Sequence, residues 1–264
     1  MNAATRRKFL EEYAAVRRAE GRGSPDREWY AALPYRDLTG RNSDQWAIRA
    51  RSFRYFCSRI LPKLEARPGI PLRILDLGAG NGWMSYRLSQ LGHWAVAVDI
   101  FADPLDGLSA IRNYDRPFPA ALAEFNALPF AGGAFDIAIF NSSFHYSEDY
   151  ARTLREVRRC LRPAGQVFVI DSPVYRKAEH GERMREERHR NFEIAYGFRS
   201  DALGSVEYLD EDRLAELSHE VGVQWSRWRP WYGVRWAMRP LRAFLRRKRP
   251  PSRFEILGGR FRVL

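Results

Sequence analysis

Between Leu72 and Asp171, short apolar runs alternate with longer stretches whose apolar residues recur at helical spacing. Four runs of five or six residues are too short for helices and read as buried strands: Arg73–Leu77, Ala95–Asp99, Phe135–Phe140 and Gln166–Ile170. Between them, Trp83–Leu91 and Tyr150–Leu161 have the pattern of amphipathic helices. Strands that alternate with helices predict a parallel sheet with helices on both faces, joined by right-handed crossovers.

Helical segments flank this alternating region on both sides. Thr5–Arg22 and Asn42–Leu61 are expected helices before it, and Pro62 closes the second. The expected elements after it are a charged helix within Val174–Phe198, a helix over Leu209–Val221, a strand over Val223–Trp228, a helix over Val234–Leu245 and a last strand over Phe254–Leu257. We therefore expect a helical cap in residues 1–70, a core in 71–172, an inserted substrate-lid helix in 173–205, and helix–strand units that complete the sheet in 206–264.

The chain is basic, with a formal charge of +12 over 264 residues. The charge is uneven, because residues 71–172 carry 9 basic and 11 acidic side chains while residues 230–264 carry 10 basic and 1 acidic. The excess therefore belongs to the ends of the chain and does not by itself indicate a nucleic-acid enzyme.

Several classes of protein are excluded by what the sequence lacks. No apolar run approaches the roughly 18 residues that cross a bilayer, and the first twenty residues do not have the pattern of a secretory signal. Two isolated cysteines, Cys57 and Cys160, offer neither a disulfide framework nor the paired spacing of a zinc site. We expect a cytoplasmic protein without a metal site.

The most informative segment is Ile74–Trp83, with the sequence ILDLGAGNGW, in which a strand runs through a glycine turn into a helix. Glycines let the backbone approach a ligand closely, and the amides at a helix N-terminus attract negative charge. A nucleotide-like ligand is indicated. The dinucleotide fingerprint requires a third glycine where this chain has Trp83, which disfavours nicotinamide or flavin binding.

Four segments in the correct order resemble the class I S-adenosylmethionine-dependent methyltransferases, specifically the methyltransferase type 11 group. They are ILDLGAGNG, VAVDI, AEFNALPFAGGAFDIAIFNSSFHY and LREVRRCLRPAGQVFVID. The resemblance implies an α/β fold built on a Rossmann-like seven-stranded sheet, mostly parallel with the last strand antiparallel, and with helices on both faces. It also implies that S-adenosyl-L-methionine is the cofactor of residues 71–172.

The resemblance assigns cofactor-binding roles residue by residue. Gly78, Ala79, Gly80 and Gly82 form the turn around the methionine part of the cofactor, where Asp76 helps to hold the amino group. Asp99 would accept hydrogen bonds from both ribose hydroxyls, and Ile100 would pack on the adenine. Glu124 stands where the family usually has Asp before Leu-Pro-Phe, and would contact the adenine amino group. Phe125 would supply a backbone amide and an apolar wall, and Asn141 would touch the methionine part through its backbone.

Four of these residues also have a purely structural interpretation. Asp76 would brace the glycine loop, Asp99 would end a strand, and Ile100 and Phe125 would be core residues. His145 and Tyr146 follow the expected strand Phe135–Phe140, at the expected mouth of the site. His145 is the candidate general base and Tyr146 a pocket residue, although His145 would equally anchor the loop or contact the cofactor.

The segment Val234–Leu245 has the pattern of a basic amphipathic helix, interrupted by Pro240. Its charged side would contact anionic lipid, a lipid-linked substrate, nucleic acid or only water, and its apolar side would pack on the fold.

Three functions stay open. The favoured one is methyl transfer to a small molecule or biosynthetic intermediate by in-line displacement; the others are an RNA methyltransferase that grips phosphates with its basic ends, and a non-catalytic cofactor-binding protein. Absence of the Asp/Asn-Pro-Pro-aromatic signature after the strand Phe135–Phe140 disfavours nucleic-acid amino groups as acceptors.

Overall fold

The computed structural model describes residues 2–65 and 69–262, and its centre is a seven-stranded sheet. The strands are β1 Arg73–Leu77, β2 Trp94–Asp99, β3 Ala120–Leu122, β4 Phe135–Asn141, β5 Leu161–Ile170, β8 Val223–Trp228 and β10 Ile256–Phe261. The strand order is β3-β2-β1-β4-β5-β10-β8, in which all neighbouring pairs are parallel except those that β10 forms with β5 and β8. The predicted mostly parallel sheet with an antiparallel last strand is confirmed.

The register of the central strands brings their carboxyl ends to one edge of the sheet. Leu77 pairs with Val98 of β2 on one side and with Phe140 of β4 on the other. These strands are buried on both faces, as expected for continuous apolar runs in a parallel sheet. Gly78, which follows β1, therefore stands beside Asp99 and Asn141, the last residues of β2 and β4, where open α/β sheets bind ligands.

Helices cover both faces of this sheet and its open edge. Asn2, Asp149 and Asp210 cap three of them through side-chain hydrogen bonds to backbone amides, which explains where these helices begin. The helices are α1 Ala3–Ala19, α2 Arg27–Ala32, α3 Ser43–Tyr55, α4 Trp83–Gln90, α5 Tyr150–Cys160, α6 Ala178–Tyr196, α7 Glu211–Glu220, α8 Val234–Ala237 and α9 Arg239–Leu245. Within the described residues, no helix is both long and apolar enough to cross a membrane.

A second, three-stranded sheet corrects three predicted element boundaries. It consists of β6 Pro173–Tyr175, β7 Leu209–Asp210 and β9 Arg253–Phe254, in the order β7-β6-β9. The expected helices over Val174–Phe198 and Leu209–Val221 consequently begin later, at Ala178 and Glu211. The expected strand Phe254–Leu257 is divided at Glu255, because its two halves pair with different sheets.

The predicted C-terminal helix Val234–Leu245 is divided into α8 and α9 at Met238. Pro240 explains the break, since it has no amide proton and its ring clashes with the carbonyl group one turn earlier. Met238 keeps a right-handed helical conformation, and its amide donates to the Val234 carbonyl oxygen over 3.0 Å. The two helices therefore follow each other with little change in helical phase.

Candidate active site

A cavity of about 720 Å³ opens at the carboxyl ends of β1, β2 and β4. Most of the residues singled out in the sequence line it: Asp76, Gly78, Ala79, Gly80, Asp99, Ile100, Glu124, Phe125, Asn141, His145 and Tyr146. Gly82 does not, and its left-handed φ of 79° instead starts α4, where a Cβ atom would lie 2.8 Å from Phe118 Cζ. The structure thus brings together residues that are widely spaced in the chain.

The glycine turn forms the floor of the cavity. Gly78 has a φ of 71°, and a Cβ atom at this position would lie only 2.3 Å from Cβ of Ser143. The amides of Gly78 and Ala79 both donate to the Val98 carbonyl oxygen, over 2.8 and 3.0 Å, which fixes the turn against β2. Gly78 is therefore required both by its left-handed backbone and by the space around it.

Asp99 lies at the end of β2 and connects that strand to the glycine turn. Its carboxylate accepts hydrogen bonds from the amides of Gly80, over 2.7 Å, and Phe101, over 2.9 Å. Burial raises the pKa of this carboxyl above its ordinary value, while the backbone amides act in the opposite direction. A carboxylate held in this way is oriented at the cavity wall before any ligand arrives.

Asp76 is the most deeply buried acid of the site, with 1% of its surface exposed. Its carboxylate accepts a hydrogen bond of 2.7 Å from the Ser85 hydroxyl on α4. Burial raises the pKa of Asp76 to about 7, and the Ser85 hydrogen bond opposes the shift. Asp76 therefore braces the start of α4, and a cationic ligand group beside it would favour its ionised form.

The residues from the other strands complete the wall. Phe125 packs edge-on against Phe140 of β4, with ring centroids 5.2 Å apart. Asn141 donates from its side-chain amide to Oδ2 of Asp171 over 3.3 Å. Glu124 lies 4.0 Å from the Arg6 guanidinium of α1. Asn141 and Asp171 follow neighbouring strands, and together they mark the part of the cavity beyond the glycine turn.

His145 and Tyr146 lie in a single helical turn after β4. The His145 Nδ1 atom lies 3.2 Å from the Ser172 hydroxyl oxygen. The ring centroids of His145 and Tyr146 are 4.5 Å apart. Burial, followed by the positive charges of Arg188 and Arg49, lowers the pKa of His145 to about 3. The imidazole is therefore neutral at physiological pH.

Helix α1, from the segment expected to form a cap, lines one side of the cavity through contacts that the sequence did not indicate. Tyr13 packs edge-on against Phe101, with centroids 5.1 Å apart, and against Tyr146, at 6.1 Å. Arg17 forms a buried ion pair with Asp106, from the loop after β2. Amphipathic spacing predicted the helix itself, but its docking depends on residues 89 positions apart.

Arg49, on α3, lines the cavity and is distinguished by what it does not contact. Its guanidinium lies 4.8 Å above the Trp46 ring and forms no hydrogen bond or ion pair with the described part of the chain. Four other cavity-lining arginines are paired with carboxylates: Arg17 with Asp106, Arg22 with Glu20, Arg188 with Glu207 and Arg249 with Glu187. Burial, followed by the nearby charges of Arg22 and Arg17, lowers the pKa of Arg49 to about 10, while the carboxylates of Asp171 and Asp106 oppose the shift. A cation in this environment favours a bound anion.

Asp171 is a second cavity residue that the sequence did not single out. It is buried, has a left-handed φ of 55°, and accepts a hydrogen bond from the Ser52 hydroxyl of α3. Strained backbone in non-glycine residues clusters at functional sites.

No cluster of three or more potential metal ligands exists in residues 2–65 and 69–262.

Comparison with known proteins agrees with this geometry. Residues 75–169 match the family model described as a methyltransferase domain. Over these residues the chain therefore matches the methyltransferase type 11 family, and the resemblance noted in the sequence is confirmed there.

Two curated relatives and one solved structure illustrate the match. A malonyl-[acyl-carrier protein] O-methyltransferase of Erwinia pyrifoliae is 38% identical over 104 residues, which is 39% of this chain and 38% of the relative. A demethylmenaquinone methyltransferase of Thermus thermophilus is 31% identical over 144 residues, 53% of this chain and 66% of the relative. The Burkholderia thailandensis 1,6-didemethyltoxoflavin-N1-methyltransferase, solved with its substrate and S-adenosylhomocysteine, shares the fold with a TM-score of 0.51 and 19% identity, over 96% of this chain and 90% of that one. The matched regions span between about two fifths and two thirds of these curated relatives.

Proposed function

We propose that this protein is an S-adenosylmethionine-dependent methyltransferase whose acceptor is a small molecule that carries an anionic group. The observation that carries the acceptor class is the guanidinium of Arg49, which has no hydrogen bond or ion pair with the described residues and lines the cavity together with His145 and Asn141. A half-buried cation without a hydrogen-bonding partner favours a bound anion, and a carboxylate is the group that a guanidinium binds best. The malonyl group in the name of one relative is an acid, which supports the same class.

The residues present fit the proposed cofactor. A turn that leaves no room for a Cβ atom at Gly78 admits a close ligand, and the Asp99 carboxylate at the end of β2 suits a pair of hydroxyl donors. The residues that would hold it are Asp76, Gly78, Ala79, Gly80, Asp99, Ile100, Glu124, Phe125 and Asn141. When bound, S-adenosylmethionine supplies a methyl group on a sulfonium, which is already activated for transfer. The contribution left to the protein is alignment and the exclusion of water.

With an anionic acceptor, the protein does not need to remove a proton from the group that is methylated. A carboxylate is ionised at neutral pH and needs no general base, whereas an alcohol does. His145, with a pKa of about 3, is a weak base. We therefore assign His145 and Tyr146 to the wall that positions the acceptor, with Arg49 holding its negative charge.

Helix α1 and the segment around α6 would then control access. We propose that residues 1–70 act as a cap over the core in 71–172, that 173–205 form the substrate lid, and that 206–264 complete the sheet. Tyr13 and Arg17 from the cap line the cavity, as do Met184, Arg188 and Phe192 from the lid. The free thiols of Cys57 and Cys160 support a cytoplasmic site of action.

Binding of a simple dicarboxylate to the protein saturated with S-adenosylhomocysteine tests the acceptor class. Malonate is the probe, and its affinity is measured from the shift in thermal unfolding temperature as the malonate concentration is raised. We expect Arg49→Met to weaken malonate binding about a hundredfold, since one member of a buried charge pair is lost. Arg49→Lys should recover part of the affinity.

Arg36→Met is the matched control, because Arg36 is exposed and does not line the cavity. It should bind malonate like the wild type. Unchanged malonate affinity in Arg49→Met, or no malonate binding by the wild-type protein, would overturn the acceptor assignment. Calorimetry of S-adenosylhomocysteine with the same variants separates this failure from loss of the cofactor site, since Arg49→Met should leave cofactor affinity within about threefold.

A further inference from the structure

Residues 231–248 form an exposed surface, here called the C-terminal surface, that combines apolar and basic side chains. The exposed fractions are 78% for Phe244, 71% for Leu245, 69% for Val234 and 68% for Trp231. Met238 and Leu241 are exposed as well. The sequence predicted that the apolar side of this segment packs on the fold. In the structure much of it instead faces outward.

The cations of the C-terminal surface are not neutralised. Five basic side chains are exposed there: Arg235, Arg242, Arg246, Arg247 and Lys248. None of them forms a side-chain hydrogen bond or an ion pair with residues 2–65 or 69–262. The sequence contains no Asp or Glu anywhere from residue 221 to residue 254. The surface therefore has the charge of a site for an anionic partner.

The two kinds of side chain are arranged in adjoining stripes. Val234, Met238, Leu241 and Leu245 recur at the spacing of one helical face, and Arg235, Arg242 and Arg246 each follow one of them by a single residue. An apolar stripe bordered by arginines is the pattern of a helix that lies in the interface of a membrane. The residues of the stripe are aliphatic and gain free energy in hydrocarbon. The exposed rings of Trp231 and Phe244 beside them are of the kind found on the apolar side of interfacial helices, which favours lipid over RNA.

We propose that the C-terminal surface docks on an anionic lipid bilayer. Its apolar stripe would enter the boundary between headgroups and acyl chains, while the arginines contact lipid phosphates. Trp236 and Arg239, from the same segment, line the cavity. Docking would therefore place the cavity wall beside the lipid, where an amphiphilic acceptor would be available. This proposal does not depend on the chemistry inside the cavity, because it is tested without cofactor.

Sedimentation with vesicles provides the test. The full chain is mixed with vesicles of equal parts phosphatidylglycerol and phosphatidylcholine, and with vesicles of phosphatidylcholine alone. We expect binding to the anionic vesicles that weakens as salt is raised. Arg235→Ala/Arg242→Ala/Arg246→Ala should reduce the affinity about a hundredfold, from the contribution of each cation near an anionic surface. Phe244→Ser/Leu245→Ser should reduce it about tenfold or more through lost apolar burial.

Two controls match these variants elsewhere on the molecule. Arg36→Ala/Arg112→Ala/Arg183→Ala removes the same number of exposed charges, and Ile194→Ser removes an apolar side chain that is 79% exposed. Both should bind vesicles within about twofold of the wild type. The proposal is overturned if the wild type does not bind anionic vesicles, or if the control variants lose as much binding as the surface variants. It is also overturned if transfer RNA binds more tightly than the vesicles and Phe244→Ser/Leu245→Ser leaves both affinities unchanged.

Discussion

The floor of the cavity depends on one residue, Gly78, which combines a left-handed backbone with a close neighbour. Its φ is 71°, and a Cβ atom would meet Cβ of Ser143 at 2.3 Å. The segments that contain Gly78 and Ser143 meet there because β1 and β4 are adjacent and their carboxyl ends lie at the same edge of the sheet. The space that a glycine leaves is therefore part of the site itself.

Gly78→Ala should destabilise the protein by about 2–4 kcal/mol, from the left-handed conformation and the clash together. Gly92→Ala is the control, since Gly92 has a φ of 90° but nothing within 4 Å of its Cβ position. It should cost only about 1–2 kcal/mol. Urea denaturation measures both free energies of unfolding. Equal losses would mean that contact with Ser143 does not matter.

His145 gives the second prediction at this scale. Its pKa is lowered to about 3, so its charge does not change between pH 5.5 and 8. The rate of methyl transfer should therefore show no acid limb from His145 in this range, and His145→Gln should lower kcat/KM less than about tenfold. A general base contributes about 10²–10⁴-fold. A loss of that size, with an acid limb near pH 6.5 that the variant abolishes, would restore His145 as the base.

At the scale of elements, the position of α1 over the cavity depends on few contacts. Arg17 and Asp106 form a buried ion pair between α1 and the loop after β2, and Tyr13 adds ring contacts. Removing one partner of a buried pair leaves an uncompensated charge. The docking of this helix is thus separable from the stability of the sheet.

Asp106→Asn should increase amide hydrogen exchange in residues 3–19 while leaving β1 and β4 protected, because it weakens docking without disturbing the sheet. Arg7→Met is the control. It removes an exposed cation of α1 that forms no ion pair with the described residues, and its exchange should match that of the wild type. If Asp106→Asn leaves exchange in α1 unchanged, the ion pair is not what holds the helix.

The elements predicted best from the sequence are those specified by local pattern. The strand, glycine turn and helix of Arg73–Gln90 were predicted because apolar periodicity and glycine positions are properties of neighbouring residues. The three-residue strand β3 and the small sheet of β6, β7 and β9 were missed, since strands of two or three residues are defined by their partners. Asp171 was missed as a site residue for a related reason, and Arg49 lay in a segment expected to cover the acceptor but was assigned no role. Only the folded chain shows that Arg49 forms no hydrogen bond or ion pair with the described residues and that both residues line the cavity.

At the scale of the whole molecule, basic and acidic side chains are unevenly distributed between the proposed cofactor site and the C-terminal surface. The proposed cofactor site lies in the segment whose acidic side chains outnumber its basic ones, whereas the unpaired arginines of the C-terminal surface lie in the most basic one. The cavity adjoins both segments, because Asp99 from the first and Arg239 of α9 from the second line it. The net charge of +12 therefore describes the surroundings of the site more than its chemistry.

The central claim is that the glycine turn and Asp99 bind S-adenosylmethionine. Calorimetric titration of S-adenosylhomocysteine into the wild type, Asp99→Asn and the exposed-site control Asp212→Asn tests it most directly. The wild type and control should bind with equal affinity. Asp99→Asn should bind about tenfold to a hundredfold more weakly, because an amide cannot replace a carboxylate that accepts from two donors. No binding by the wild type, or equal binding by Asp99→Asn, would contradict the account.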